Sequence, residues 1–130
     1  GTERVRRMRR VCDVRGLSGV RATPGRVEAT DEWAEERTTV FGGLHGGYLM
    51  AIADSVGAFC ASLNLPEGAG TSTIESKTNF LRPVTGGTVG IVAMPIHVGR
   101  TTIVVQTEVA RDDGRPVSLT IQTQIVLPGS

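Results

Sequence analysis

Residues 46–63 read GGYLMAIADSVGAFCASL, and the fold is decided by how that stretch is read. Its apolar side chains recur nearly all the way round a helical projection, so the helix must be covered on most sides. Asn64, Pro66 and the Gly68-Ala69-Gly70 segment stop it. One position breaks the pattern. Asp54 places a carboxylate among Leu49, Met50, Ala51, Ile52, Ala53, Val56 and Phe59. Burying a charge costs several kcal/mol unless it is compensated. Three readings stay open: a structural carboxylate bonded to buried polar groups, a residue on a narrow solvent-facing stripe with Ser55, or a catalytic acid, base or nucleophile with its pKa raised by burial.

C-terminal to the helix, the period changes to two. Thr71–Leu81, Thr88–Val98, Thr101–Arg111 and Val117–Leu127 read as strands. In the last, Val117, Leu119, Ile121, Ile125 and Leu127 share one face, and Ser118, Thr120, Gln122 and Gln124 share the other. Pro83 with Gly86-Gly87, Gly99-Arg100 and Asp112-Asp113-Gly114 supply turn chemistry between them. These joints are too short for helical crossovers, so the strands are expected to be antiparallel. Pro95 predicts an edge or a bulge. N-terminal to the helix, Pro24-Gly25 marks a turn and Arg26–Thr30 a short strand, while residues 4–15 read as an amphipathic helix. One buried helix with an antiparallel sheet curled around it is an α+β fold.

The chain has 130 residues, enough for one domain with a core. We expect an N-terminal extension over 1–21 and the globular domain over 22–130. Hydrophobic residues make up 39% and charged residues 21%, which excludes a disordered chain. Aromatics at 4% argue against stacking platforms for single-stranded nucleic acid. No apolar run is long enough to span a bilayer, and no secretory pattern is seen, so a cytoplasmic protein is expected. Cys12 and Cys60 match no metal spacing and read as reduced thiols. The net charge of +1 conceals seven arginines in residues 1–21 against Glu3 and Asp13. Such an arm could meet nucleic acid, an anionic surface or the acidic remainder of the chain. It also fits a solvated helix, and no nucleic-acid partner is expected.

Leu44-His45-Gly46-Gly47 opens the main helix. Two glycines there allow close approach to the backbone, and the first helical N–H groups can hold an anion, including the oxyanion of acyl transfer. A tight loop without a ligand has the same composition. Gly46 and Asp54 are eight residues apart, about 12 Å along a helix. One carbonyl cannot touch both, so a shared site requires a second, oppositely directed helix, which a two-fold dimer supplies.

His-Gly-Gly opening a helix, with a carboxylate nine residues after the His, resembles the hotdog-fold acyl-CoA thioesterases of the phenylacetate-degradation and 4-hydroxybenzoyl-CoA types. The motif runs from Phe41-Gly42-Gly43-Leu44-His45-Gly46-Gly47 through Ala51-Ile52-Ala53-Asp54. The similarity continues in Asn79-Phe80-Leu81-Arg82-Pro83, Pro95-Ile96-His97-Val98-Gly99-Arg100 and Asp113-Gly114-Arg115, over roughly residues 25–127. The resemblance implies an acyl-CoA thioesterase that needs no cofactor or metal, CoA being part of the substrate, built as a homodimer and further as a homotetramer. It implies that the Gly46 N–H meets the thioester oxygen, and that Asp54 of the partner subunit attacks the carbonyl or activates water. His45 would lie beside the carbonyl or orient the loop, and Thr73 would help to place the water. Gly47 would adjoin the bound substrate, and His97, Gly99, Arg100 and Thr101, with Arg82, would meet the CoA phosphates. Thr39 stands where relatives often carry Asn or Gln, a shorter reach for holding the water. Tyr48, Ile52, Phe59 and Phe80 would shape the acyl pocket. Two other readings compete: a hydratase or dehydratase, whose His-Phe-Pro or Asp-x-Asn-Pro-x-His patterns are missing, and a non-catalytic acyl-CoA-binding protein.

Overall fold

The computed structural model describes residues 18–32 and 46–129. Elements run β1 (Ser18–Thr23), β2 (Arg26–Glu32), α1 (Gly46–Ser62), β3 (Gly70–Phe80), β4 (Thr88–Val98), β5 (Thr102–Arg111) and β6 (Pro116–Leu127). The expected N-terminal helix, Thr39, His45 and Cys12 lie outside the described residues. The six strands form one antiparallel sheet in the order β1-β2-β4-β5-β6-β3. The helix packs against β2, β3, β4, β5 and β6, so the sheet wraps it as the hotdog arrangement requires.

The sheet buries the expected alternation. Val89, Ile91 and Ala93 of β4 and Ile103, Val105 and Val109 of β5 meet Leu49, Ile52, Val56 and Phe59 of α1. Antiparallel strands covered on one face read as such alternation. Ile52 and Phe59 belong to this core rather than to an open pocket. No helix among the described residues is long and apolar enough to cross a membrane.

Three features depart from the sequence reading or sharpen it. Strand β1 is not among the expected elements: it is six residues long with only Val20 and Ala22 apolar, and its register with β2 shifts between Ser18 and Arg21. The division expected between residues 21 and 22 falls inside this strand. Pro95 sits at a register shift between Pro95 and His97, and β2 pairs with β4 only as far as Ala93, so the missing N–H is harmless there. At the β5–β6 turn, Gly114 has φ of 85°, a conformation that other residues adopt only with strain. Asp113 there accepts the Arg115 N–H at 3.0 Å. That bond, with the Arg111 guanidinium, holds its carboxyl below the usual range.

Cys60 is fully buried on the helix, its thiol 3.8 Å from the Ala93 carbonyl oxygen, and burial pushes its pKa up to about 11. A buried, protonated thiol is a poor nucleophile. Iodoacetamide at pH 8 is therefore expected to leave Cys60 unlabelled in the folded protein and to label it in urea, as read by peptide mass spectrometry.

Candidate functional site

The helix presents one open stripe. Gly47, Met50 and Asp54 are exposed in sequence positions three and four apart, whereas Leu49, Ile52, Ala53 and Val56 are buried. Asp54 is thus not enclosed within the single chain, and the solvent-facing alternative describes its backbone position. Its carboxylate is nevertheless held. The Thr73 hydroxyl, on β3, donates to Asp54 Oδ1 at 2.9 Å, and Gln122 Nε2, on β6, donates to the same oxygen at 3.2 Å. Asp54 Oδ2 receives no donor among the described residues.

A file of polar groups stands behind these donors. Gln124 Nε2 donates to Thr73 Oγ1, and the Thr71 hydroxyl lies 3.0 Å from Gln124 Oε1 and 2.9 Å from the Ile125 carbonyl oxygen, with one proton to share between the two acceptors. Thr73 accepts from Gln124, so its single proton is committed to Asp54, and successive bonds of this kind polarise one another. The file exists because of how β6 faces. Its polar side, Ser118, Thr120, Gln122 and Gln124, is the one turned inward and fully buried, while Leu119, Ile121 and Ile125 are half-buried on the opposite side. Period-two reading separates the two faces but gives no role to Gln122 or Gln124. The available signal is four hydrogen-bonding residues in alternate positions on a strand that must meet a helix with one acid.

Gly46 opens α1 at the far end of the stripe. A Cβ there would lie 3.2 Å from the Phe80 ring, so Gly46 lies against the end of β3. Tyr48, two residues on, donates its hydroxyl to the fully buried Asp31 carboxylate at 2.5 Å, which ties the start of the helix to β2. The sequence pattern does not single out Asp31. Tyr48→Phe removes a donor from a buried carboxylate and is expected to cost about 1.5–3 kcal/mol, checked as a lowered urea midpoint.

The other expected residues sit on two turns. Arg82 follows β3 and donates Nη1 to the Pro116 carbonyl at 2.9 Å, beside the Gly46 end. His97, Gly99, Arg100 and Thr101 occupy the β4–β5 hairpin, closed by the Gly99 N–H to the Thr102 carbonyl at 2.8 Å. Val98 pairs with Ile103, Ile103 with Gln124, and Gln124 with Thr73, so this hairpin shares the Asp54 end of the sheet. His97 and Arg100 are exposed. Within one chain, therefore, Asp54 and Thr73 come together, and Gly46 and Arg82 lie at the other end.

The Thioesterase superfamily model matches residues 41–118, more than half of the chain, and the chain belongs to that superfamily. A curated relative from Haemophilus influenzae that carries an esterase name is 35% identical over 89 residues, covering 68% of this chain and 64% of its own length. The chain thus spans less than two thirds of the length of that relative. A thioesterase from Pseudomonas aeruginosa, solved as a variant, superposes with a TM-score of 0.86 at 28% identity, over 98% of this chain and 93% of the other. A thioesterase protein from Streptococcus pneumoniae, solved with coenzyme A, gives a TM-score of 0.78 at 25% identity over 88% of each chain.

Proposed function

We propose that the protein hydrolyses an acyl-CoA to the free acid and CoA, with Asp54 as nucleophile or general base. The observation that carries this reading is the state of the Asp54 carboxylate: it stands on an exposed helix stripe, anchored through Oδ1 by Thr73 and Gln122, with no donor to Oδ2 among the described residues. Two-point anchoring is what pre-organises a group for reaction. Superfamily membership and the coenzyme A bound to the streptococcal relative support the thioester as substrate class.

The chemistry needs an oxyanion donor that Asp54 cannot supply alone. The Gly46 N–H at the first turn of α1 suits a developing negative charge. It belongs to the other end of the helix, so we assign the complete site to two chains. Among the described residues strand β3 ends the sheet: it is eleven residues long and has a strand partner, β6, on one side only. Open edges pair with other strands. A two-fold axis between Ser76 and Lys77 would pair β3 with its copy so that Thr73 of one chain faces Phe80 of the other. Since Thr73 holds Asp54 and Phe80 touches Gly46, that register would put the carboxylate of one chain beside the oxyanion donor of its partner. It also brings the hairpin of His97, Gly99, Arg100 and Thr101 to the end where the partner carries Arg82, a set of cations and N–H groups for the CoA phosphates. A tetramer of two such dimers would cover the half-buried Leu119, Ile121 and Ile125. In the direct route Asp54 takes a proton from water, the hydroxide adds to the carbonyl, the C–S bond breaks and the CoA thiolate leaves and takes up a proton; in the covalent route Asp54 attacks the carbonyl, the C–S bond breaks to release the CoA thiolate, and water then hydrolyses the acyl-aspartyl anhydride and returns the carboxylate. His45, Thr39 and Gly47 remain candidates for placing water and substrate.

A thiol-release assay over short, medium and aromatic acyl-CoAs tests the reading. Turnover of at least one class is expected, lost on Asp54→Asn. Equal turnover by wild type and Asp54→Asn would overturn it.

A further inference from the structure

Gln122 is fully buried beneath an otherwise apolar helix. An amide there brings two donors and an acceptor into a region where each unmade hydrogen bond is costly. Its acceptor is not provided for. Gln122 Oε1 has no hydrogen-bond partner among the described residues, nor has the Thr107 hydroxyl oxygen close by. The side chain spends its amide on Asp54, through Nε2. The amide cannot be turned the other way, because a carboxylate takes a donor and not a second oxygen.

The helix makes room for it. Gly57 lies one turn beyond Asp54, on the same face. A Cβ at position 57 would sit 2.1 Å from Gln122 Oε1, 2.7 Å from its Cδ and 3.0 Å from Thr107 Oγ1. No side chain other than hydrogen fits while Gln122 keeps its place. A glycine inside a helix is itself unfavourable relative to alanine. A glycine in the helix and an unpaired oxygen in the core are thus two local sacrifices, and both serve one contact with an exposed carboxylate. Costs of that kind gather where function requires them.

We propose that Gln122 is a positioning residue that fixes the rotamer of Asp54, and that position 57 is glycine in order to admit it. This rests on the reading of Asp54 as the catalytic carboxylate. Thr73 holds Oδ1 from the sheet edge and Gln122 holds it from beneath, so Oδ1 carries both donors and Oδ2 none among the described residues. Without Gln122 the carboxylate keeps one anchor and can swing toward solvent. Gln122 reaches no substrate, so the effect falls on kcat.

The test uses the full chain with an acyl-CoA that wild type hydrolyses. Gln122→Met keeps the volume and removes the donor. It is expected to lower kcat on the order of 10- to 100-fold with KM within about twofold, while Tm holds or rises because the unpaired oxygen is gone. Gly57→Ala should reproduce that kcat loss by evicting Oε1. In a Gln122→Ala background, Gly57→Ala should add no further loss and should raise Tm, since alanine is the better helix former. A kcat unchanged by Gln122→Met overturns the inference. So does a kcat loss that tracks a lower Tm, or a Gly57→Ala loss that persists in full in the Gln122→Ala background. Loss of turnover in Asp54→Asn beside an unaffected Gln122→Met overturns this inference alone, whereas retained turnover in Asp54→Asn overturns the catalytic reading and this inference together.

Discussion

Asp54→Asn is expected to reduce kcat at least ~10³-fold, toward the upper part of the range that a positioned acid or base contributes. The variant is isosteric. Its side-chain oxygen can still accept from the Thr73 hydroxyl and from Gln122 Nε2, so both anchors on Oδ1 survive. What disappears is the charge at Oδ2, and with it the capacity to attack a carbonyl or to take a proton from water. Asp54 is exposed in the single chain, so the substitution removes no buried ion. The thermal midpoint should stay within a few degrees of wild type, since a surface substitution away from special features is worth about ±0.5 kcal/mol. Activity and stability therefore separate, and that separation is the informative outcome. A variant that lost both would point to a structural carboxylate, for which the open Oδ2 gives no reason.

Thr73→Val makes a useful companion because it acts one step back. It preserves the β-branched shape on β3 but removes the hydroxyl that donates to Asp54 and accepts from Gln124. Its loss should be smaller than that of Asp54→Asn, because Gln122 still holds Oδ1.

The periodic part of the architecture is readable from the chain. A change from helical to two-residue period at Gly68–Gly70 places α1 and β3 to β6, and the turn residues set their antiparallel order. Strand β1 is not legible, because two small apolar residues, Val20 and Ala22, are too short a pattern to read as a strand, and its register with β2 shifts. The facing of β6 is not legible for a deeper reason. Alternation says that two faces differ, and a polar face is ordinarily given to water. Here Ser118, Thr120, Gln122 and Gln124 point inward, and the group that draws Gln122 in, Asp54, is 68 residues away in sequence. Asp54 itself stands out because the helix around it is apolar. The structure shows why that pattern misdirects on burial: the apolar residues cover every face but the stripe of Gly47, Met50 and Asp54. The dimer proposed above would cover this stripe together with β3, the last strand of the sheet among the described residues.

That second chain gives the other large effect, the restoration of activity by mixing two inactive variants. Gly46→Pro removes the backbone N–H proposed as the oxyanion donor. Proline is well tolerated at the first helical position, where Gly46 stands, because its fixed φ suits the helix and no intrahelical bond is lost. Its ring must displace the Phe80 side chain, which is 52% exposed and has room to move. Loss of one such donor is expected to lower kcat by about 10²–10³. Gly46→Pro and Asp54→Asn dimers are then each nearly silent. If one site takes Gly46 from one chain and Asp54 from its partner, a mixed dimer contains one site with both defects and one with neither. Random reassociation makes half of the dimers mixed, so recovery should approach about a quarter of wild-type turnover per chain. Unfolding and refolding the two variants together, with separately refolded variants as the reference, measures it. A site contained within one chain would recover nothing, because every chain would still carry a defect. The distances oppose that outcome: Gly46 and Asp54 are about 12 Å apart along one helix, too far for one thioester carbonyl to touch both. Recovery near a quarter would place the carboxylate and the oxyanion donor on different chains, and would fix β3 as the strand that joins them if proline at Ser76 or Lys77 then abolished both the dimer and the recovery.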